Sequence, residues 1–201
     1  MIRVLVAEDM RLLRETLVSS LSLESDIEIV AELEGGDTIV TTALAQRADV
    51  AIVDIDLPGT DGLTAAAELR RRSSTCRVLI LTSLATPGNM LRAMEAEVAG
   101  FVLKDSPRDE LLAAVRTVAD GGRVLDTDLA YAALRTPASP LTDREAEVLR
   151  AFADGAGPKE IAARLHLSYG TVRNYLASAV TKLQARNRVD AVHRARQGGW
   201  L

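Results

Sequence analysis

Asp54 closes the run Val50-Ala51-Ile52-Val53, and Pro58-Gly59 follow shortly after it. A short apolar run that stops at turn residues reads as a strand buried on both faces of a parallel sheet. Asp54 then lies at the carboxyl end of that strand, where open α/β sheets keep their ligand sites. A carboxylate there can hold a metal, act as a nucleophile, or simply cap the next helix, and the run alone leaves all three open. Other apolar runs also end in polar residues: residues 2–7 in Glu8 and Asp9, 77–81 in Thr82, and 100–103 in Lys104. Helix capping does not account for the lysine and the threonine. Glu8, Asp9 and Asp54 crowded together repel one another unless a hard cation joins them, and an oxygen-only, partly open site suits Mg²⁺. A cation in that position can bridge an incoming phosphoryl group. Lys104 offers that group a point charge and Thr82 a hydroxyl donor, which leaves Asp54 as the nucleophile that forms an aspartyl phosphate.

The elements that must bring these residues together follow from periodicity. Strands are expected at 2–7, 27–33, 50–54, 77–81 and 100–103. Between them, helices are expected at 10–22 (apolar positions Leu12, Leu13, Leu17, Leu21), 39–47, from Asp61-Gly62 through Arg70-Arg71-Arg72, and from Pro87 to about Ala96. Gly35-Gly36-Asp37 reads as a turn with a helix cap. Ser106 reads as an N-cap with Pro107 at the first helical position of a helix running to Gly121-Gly122. Strands alternating with helices predict a doubly wound five-stranded parallel sheet, whose strand ends share one edge.

Residues 121–139 read as a linker, with a short helix at 124–134 and the proline-bracketed Pro137-Ala138-Ser139-Pro140. Residues 140–201 read as a small all-α unit. Thr142 caps its first helix with Glu145 as capping-box partner, and Ala146, Leu149 and Phe152 face inward. A second helix spans 158–165, and a tight link at 166–169 leads to a third over 170–183. That arrangement is a helix-turn-helix. Val172, Leu176, Ala179 and Leu183 form the apolar stripe of the third helix, which leaves Arg173, Asn174, Ala177 and Ser178 towards the opposite face. Arg and Asn suit guanine and adenine edges. A basic helix over 188–196 ends the chain.

Charge supports two different partners for the two halves. Residues 1–120 carry 12 Lys and Arg against 20 Asp and Glu, net −8, whereas residues 121–201 carry 12 against 8, net +4. From Tyr169 onward the count is 6 against 1, a basic end suited to nucleic acid. One cysteine, Cys76, excludes an internal disulfide, and two distant histidines, His166 and His193, argue against zinc ligation and Ser-His or Cys-His catalysis. Neither a transmembrane run nor a signal peptide is evident, so a cytoplasmic chain without membrane insertion is expected.

Glu8-Asp9, Asp54, Thr82, Phe101 and Lys104, set in Asp54-Ile55-Asp56-Leu57-Pro58-Gly59 and Gly100-Phe101-Val102-Leu103-Lys104-Asp105, resemble a response-regulator receiver domain over residues 1–120, a CheY-like fold. The resemblance implies Mg²⁺ held by Asp9, Asp54 and the backbone carbonyl of Asp56, with Glu8 acting through water. It also implies a switch in which phosphorylated Asp54 draws Thr82 inward and Phe101 rotates. Two aspartates are the more usual acidic pair, so Glu8 is a departure, and Phe101 lacks a hydroxyl. Leu141-Thr142-x-Arg144-Glu145-x-Glu147-Val148-Leu149, Glu160-Ile161-Ala162 and Thr171-Val172-Arg173-Asn174 resemble the LuxR-type four-helix DNA-binding domain. That likeness implies that Arg173 and Asn174 face bases while Thr171 and Lys182 hold phosphates, with Ala177 where some relatives carry a basic contact. Together the halves resemble the NarL/FixJ class. The expected function is a non-enzymatic transcriptional regulator, phosphorylated on Asp54 by a sensor histidine kinase and dimerising on double-stranded DNA through its first and last receiver helices. Two rivals remain: an orphan regulator whose receiver only dimerises, and a metal-dependent phosphatase or nucleotide enzyme using the same acidic edge. Against the second, no glycine-rich phosphate loop follows the first strand.

Overall fold

The computed structural model describes residues 1–72, 75–83, 86–135 and 139–201. Backbone proximity divides the chain into two compact units, one of residues 1–85 and 92–130, the other of 86–91 and 131–201. Among the described residues no helix is long and apolar enough to cross a membrane.

The first unit is the doubly wound sheet. Strands β1 (Ile2–Ala7), β2 (Ile27–Leu33), β3 (Val50–Asp54), β4 (Arg77–Thr82) and β5 (Gly100–Leu103) are all parallel, in the order β2-β1-β3-β4-β5. Helices α1 (Arg11–Leu21), α2 (Ile39–Ala45), α3 (Gly62–Arg72) and α5 (Arg108–Ala119) alternate with them, and α4 (Pro87–Glu95), between β4 and β5 in the chain, belongs to this unit from Arg92 on. On one face Val4, Val6, Val50, Ile52, Leu79 and Leu81 pack with Leu17, Leu21, Leu112, Val115 and Val118 of α1 and α5. Strand alternation turns the equally buried Leu5, Ala51, Val53 and Ile80 to the other face. β3 is buried at all five positions, as its unbroken apolar run requires.

Several local expectations fail for identifiable reasons. Leu12 is 78% exposed; the buried row of α1 is Arg14, Leu17 and Leu21 instead. Asp37 does not cap α2: its Oδ1 accepts from the Thr60 N–H and hydroxyl, each at 2.8 Å, and Thr38 takes the N-cap without a side-chain bond. Pro107, not Ser106, is the N-cap of α5, because the Pro107 carbonyl already accepts from Glu110 N–H at 3.0 Å. Val124 is not helical. Its N–H donates to Ala99 O at 2.9 Å and its carbonyl accepts from Phe101 N–H at 2.8 Å, so the backbone stays extended beside β5. Helix α6 (Thr127–Leu134) begins only after Asp126, whose Oδ1 accepts from Leu129 N–H at 2.8 Å. Pro137 and Ala138 of the expected linker lie outside the described residues.

The second unit is helical: α7 (Asp143–Ala153), α8 (Pro158–Arg164), α9 (Tyr169–Lys182) and α10 (Arg188–Gln197). Thr142 and Glu145 form the capping box of α7. Val148 and Leu149 are its deepest side chains, and Ala146 and Phe152 are only partly buried at the edge of the core. Val172, Leu176, Ala179 and Leu183 of the α9 stripe meet Ile161 of α8 and Ala191 and Ala195 of α10. Pro158 stands at the first position of α8, and Ser168 and Asn187 cap α9 and α10 through bonds from Thr171 N–H and Asp190 N–H.

Candidate functional site

Parallel register aligns the strand ends. Ala7 pairs with Val53, Asp54 with Leu81, and Thr82 with Leu103. The residues just beyond therefore share one rim, and Lys104 N–H donates to Thr82 O at 2.8 Å, locking the last two strand ends together. Gly62, the first residue of α3, makes this tight: a Cβ there would run into the Asp54 carbonyl oxygen. Asp61 ahead of it accepts from Leu63 and Thr64 N–H at 3.2 Å and from Arg92 Nη2 at 2.8 Å, tying the start of α3 to α4.

On that rim Lys104 Nζ stands 2.9 Å from Asp54 Oδ2 and 2.8 Å from Glu8 Oε2. Glu8 and Asp54 are 1% and 4% exposed, and Thr82 is equally deep at 1%. Asp9 is exposed, yet one oxygen from each of Glu8, Asp9 and Asp54 falls within 4.8 Å of the others, close enough to share a metal ion. Burial, and then the charge of Asp54, raise the Glu8 pKa against the pull of Lys104. Burial alone would lower Lys104, but its two carboxylate partners outweigh it and raise its pKa. Glu8 Oε2 is shut off from water, with the Lys104 ammonium as its ion-pair partner. A buried acceptor left short of donors, facing two further carboxylates, fits a hard divalent cation. Glu8, one methylene longer than an aspartate, reaches Lys104 directly. Asp56 is exposed just past β3, and Phe101 is buried.

In the second unit Arg173, Asn174 and Ala177 are exposed on α9, and the Arg173 guanidinium lies 5.9 Å from the centre of the Tyr169 ring. The Thr171 hydroxyl shares a 2.8 Å hydrogen bond with Ser168. Ser178 is not on the open face: its hydroxyl donates to Glu145 Oε1 at 2.6 Å. Lys182 Nζ donates to Glu145 Oε2 at 2.7 Å, so this expected phosphate contact already has a protein partner. Glu145 is buried, which would push its pKa up, but bonds from Lys182, Ser178 and Thr142 hold it at about 2.

Residues 4–116 match the response regulator receiver domain, and residues 139–195 match the bacterial regulatory proteins of the luxR family. The chain is a response regulator of the LuxR family. It is 44% identical to the transcriptional regulatory protein DesR of Bacillus subtilis strain 168, over all 201 residues and all of that protein. It is 42% identical to the response regulator RamR of Streptomyces coelicolor, covering the whole chain and 98% of RamR. Among solved structures, the response regulator ChrA of a heme-sensing two-component system matches with a TM-score of 0.57 and 35% identity, over 100% of this chain and 98% of ChrA. Receiver and helix-turn-helix together make this response regulator a DNA-binding transcriptional regulator of the two-component type.

Sequence reasoning missed two residues of this regulator. Arg14 is buried on the core row of α1, and the signal was a charge where Leu17 and Leu21 set an apolar row. Glu145 was legible as a cap of α7 but not as the acceptor for two side chains of α9.

Proposed function

We propose that Asp54 accepts a phosphoryl group from a sensor histidine kinase and that the phosphorylated chain dimerises on promoter DNA. The supporting observation is the convergence of Lys104, Glu8 and Asp9 on the Asp54 carboxylate. Asp54 is the nucleophile: one of its oxygens attacks phosphorus in line, the bond to the kinase histidine nitrogen breaks, and an acyl phosphate forms. Lys104 exchanges Asp54 for an oxygen of the arriving phosphoryl group, with Glu8 holding the ammonium in reach meanwhile. Thr82, locked to Lys104 through the backbone, donates its hydroxyl to a second phosphoryl oxygen. Asp9, Asp54 and the Asp56 carbonyl would hold Mg²⁺, with Glu8 acting through water, and the ion would neutralise charge developing on the transferred group. Phosphorylation adds roughly 1.5–2 negative charges and draws Thr82 inward, with Phe101 repacking as the readout. The chain acts in the cytoplasm, and its own phosphorylation is the only chemistry it performs.

On DNA, α9 enters the major groove with Arg173 and Asn174 on base edges. Thr171 and Lys182 hold phosphates, and Lys182 leaves Glu145 to do so. Dimerisation through α1 and α5 sets two helix-turn-helix units on half-sites about one helical turn apart.

Asp54→Asn tests the reading by light scattering with a small-molecule phosphodonor and Mg²⁺. The parent is expected to dimerise and to bind DNA more tightly, and the variant to stay monomeric. Dimerisation of the variant to the same extent overturns the mechanism. Equal DNA affinity of the parent with and without phosphodonor favours an orphan regulator instead.

A further inference from the structure

We propose that Arg14 is a positioning residue for the acidic rim, fixing the Glu8 peptide so that Glu8 and Asp9 are aimed at a divalent cation. The inference rests on the phosphoacceptor reading above. Arg14 is the fourth residue of α1 and is 6% exposed, on the same row as Leu17 and Leu21. A buried guanidinium is costly to desolvate, and an apolar side chain of similar volume would serve the packing equally well. What an apolar side chain could not supply is the pair of bonds that Arg14 makes. Its Nη1 donates to the Glu8 carbonyl oxygen at 2.6 Å, and its Nη2 donates to Glu34 Oε1 at 2.5 Å. Glu8 N–H in turn donates to Leu33 O at 3.0 Å. The Glu8 backbone is thus held on both sides, and its carbonyl belongs to the peptide that carries the Asp9 N–H. The side chain follows: Glu8 Oε1 accepts from Met10 N–H at 3.2 Å, which leaves Oε2 facing Lys104 and Asp54. Glu34, largely open to solvent, neutralises the guanidinium from the far side.

Charge and geometry predict opposite signs. A cation near three carboxylates repels a second cation, so if charge were the whole role, removing Arg14 would tighten Mg²⁺ binding. If Arg14 aims the rim, removing it loosens the ligands and weakens binding. The experiment is calorimetric titration of the unphosphorylated full-length chain with MgCl₂, for the parent, Arg14→Met, Arg14→Lys and Glu34→Gln. Arg14→Met is expected to weaken Mg²⁺ binding about 10-fold, the lower end for loss of a group that orients metal ligands. Arg14→Lys keeps the charge and one donor for the Glu8 carbonyl and is expected to recover part of that loss. Unchanged or tighter binding by Arg14→Met overturns the proposal. If Arg14→Met does not fold, Glu34→Gln decides it: the core is untouched, the anchor on Arg14 is loosened, and weaker binding is expected, while parent-like binding overturns the proposal. A parent chain that takes up no Mg²⁺ overturns the phosphoacceptor reading as well, which separates the two failures.

Discussion

Glu145 carries more of the helical unit than its place in a capping box suggests. It accepts from Thr142 N–H at 2.7 Å while holding Ser178 and Lys182, so one carboxylate ties the start of α7 to the far half of α9. Its pKa of about 2 lies below the ordinary value of 4.5, which sets the sign of the pH effect. A group whose folded pKa is depressed contributes stability above its unfolded pKa and loses it as pH falls through the folded value. At neutral pH Glu145→Gln is expected to cost about 1.5–3 kcal/mol, the range for hydrogen bonds to a charged group. The gap in melting temperature between parent and variant is expected to close as pH falls from 4.5 towards 2. Circular dichroism melts across that range check it, and a gap that does not change with pH would refute the assignment.

At the scale of elements, the rim depends on how closely α3 starts beneath β3. Gly62→Ala places a methyl group against the Asp54 carbonyl, a backbone atom that cannot swing aside. The expected cost is about 1–3 kcal/mol, as for other overpacked sites, with slower phosphoryl acceptance because Asp54 itself is displaced. Thermal melts and labelling with phosphodonor read the two effects separately. The elements themselves were legible in the sequence because buried parallel strands are continuous apolar runs, and β3 and β4 could hardly be read otherwise. The positions of Glu8, Asp54, Thr82 and Lys104 were legible for the same reason, since Asp54 and Thr82 close their strands and Glu8 and Lys104 directly follow theirs. Asp37, Ser106 and Leu12 were misread because each expectation used only local pattern. Asp37 found a better donor in Thr60, 23 residues away, and the Pro107 carbonyl took over the start of α5. Arg14 and the Glu145 bonds to α9 are long-range pairings, to which periodicity is blind.

Across the whole molecule, the charge of the acidic first part suits a cation and that of the basic end a polyanion. Counterion release makes DNA affinity fall with salt in proportion to the phosphates contacted, with a slope of about −0.9 per phosphate. A chain that binds as a dimer doubles its contacts. With phosphodonor, the slope of log affinity against log salt is therefore expected to be about twice that of Asp54→Asn, measured by fluorescence anisotropy between roughly 50 and 200 mM salt. Equal slopes would contradict dimeric binding.

β5 is the last strand of the sheet, and an outermost strand normally leaves a row of backbone donors and acceptors open to any passing chain. Val124 fills two of those places, taking the Phe101 N–H and giving its own to Ala99. The segment that leads out of α5 therefore doubles as a guard rail. If copies pair only once Asp54 is phosphorylated, as proposed above, covering that stretch of the border matters, since stray strand-to-strand sticking there would pair copies without any signal.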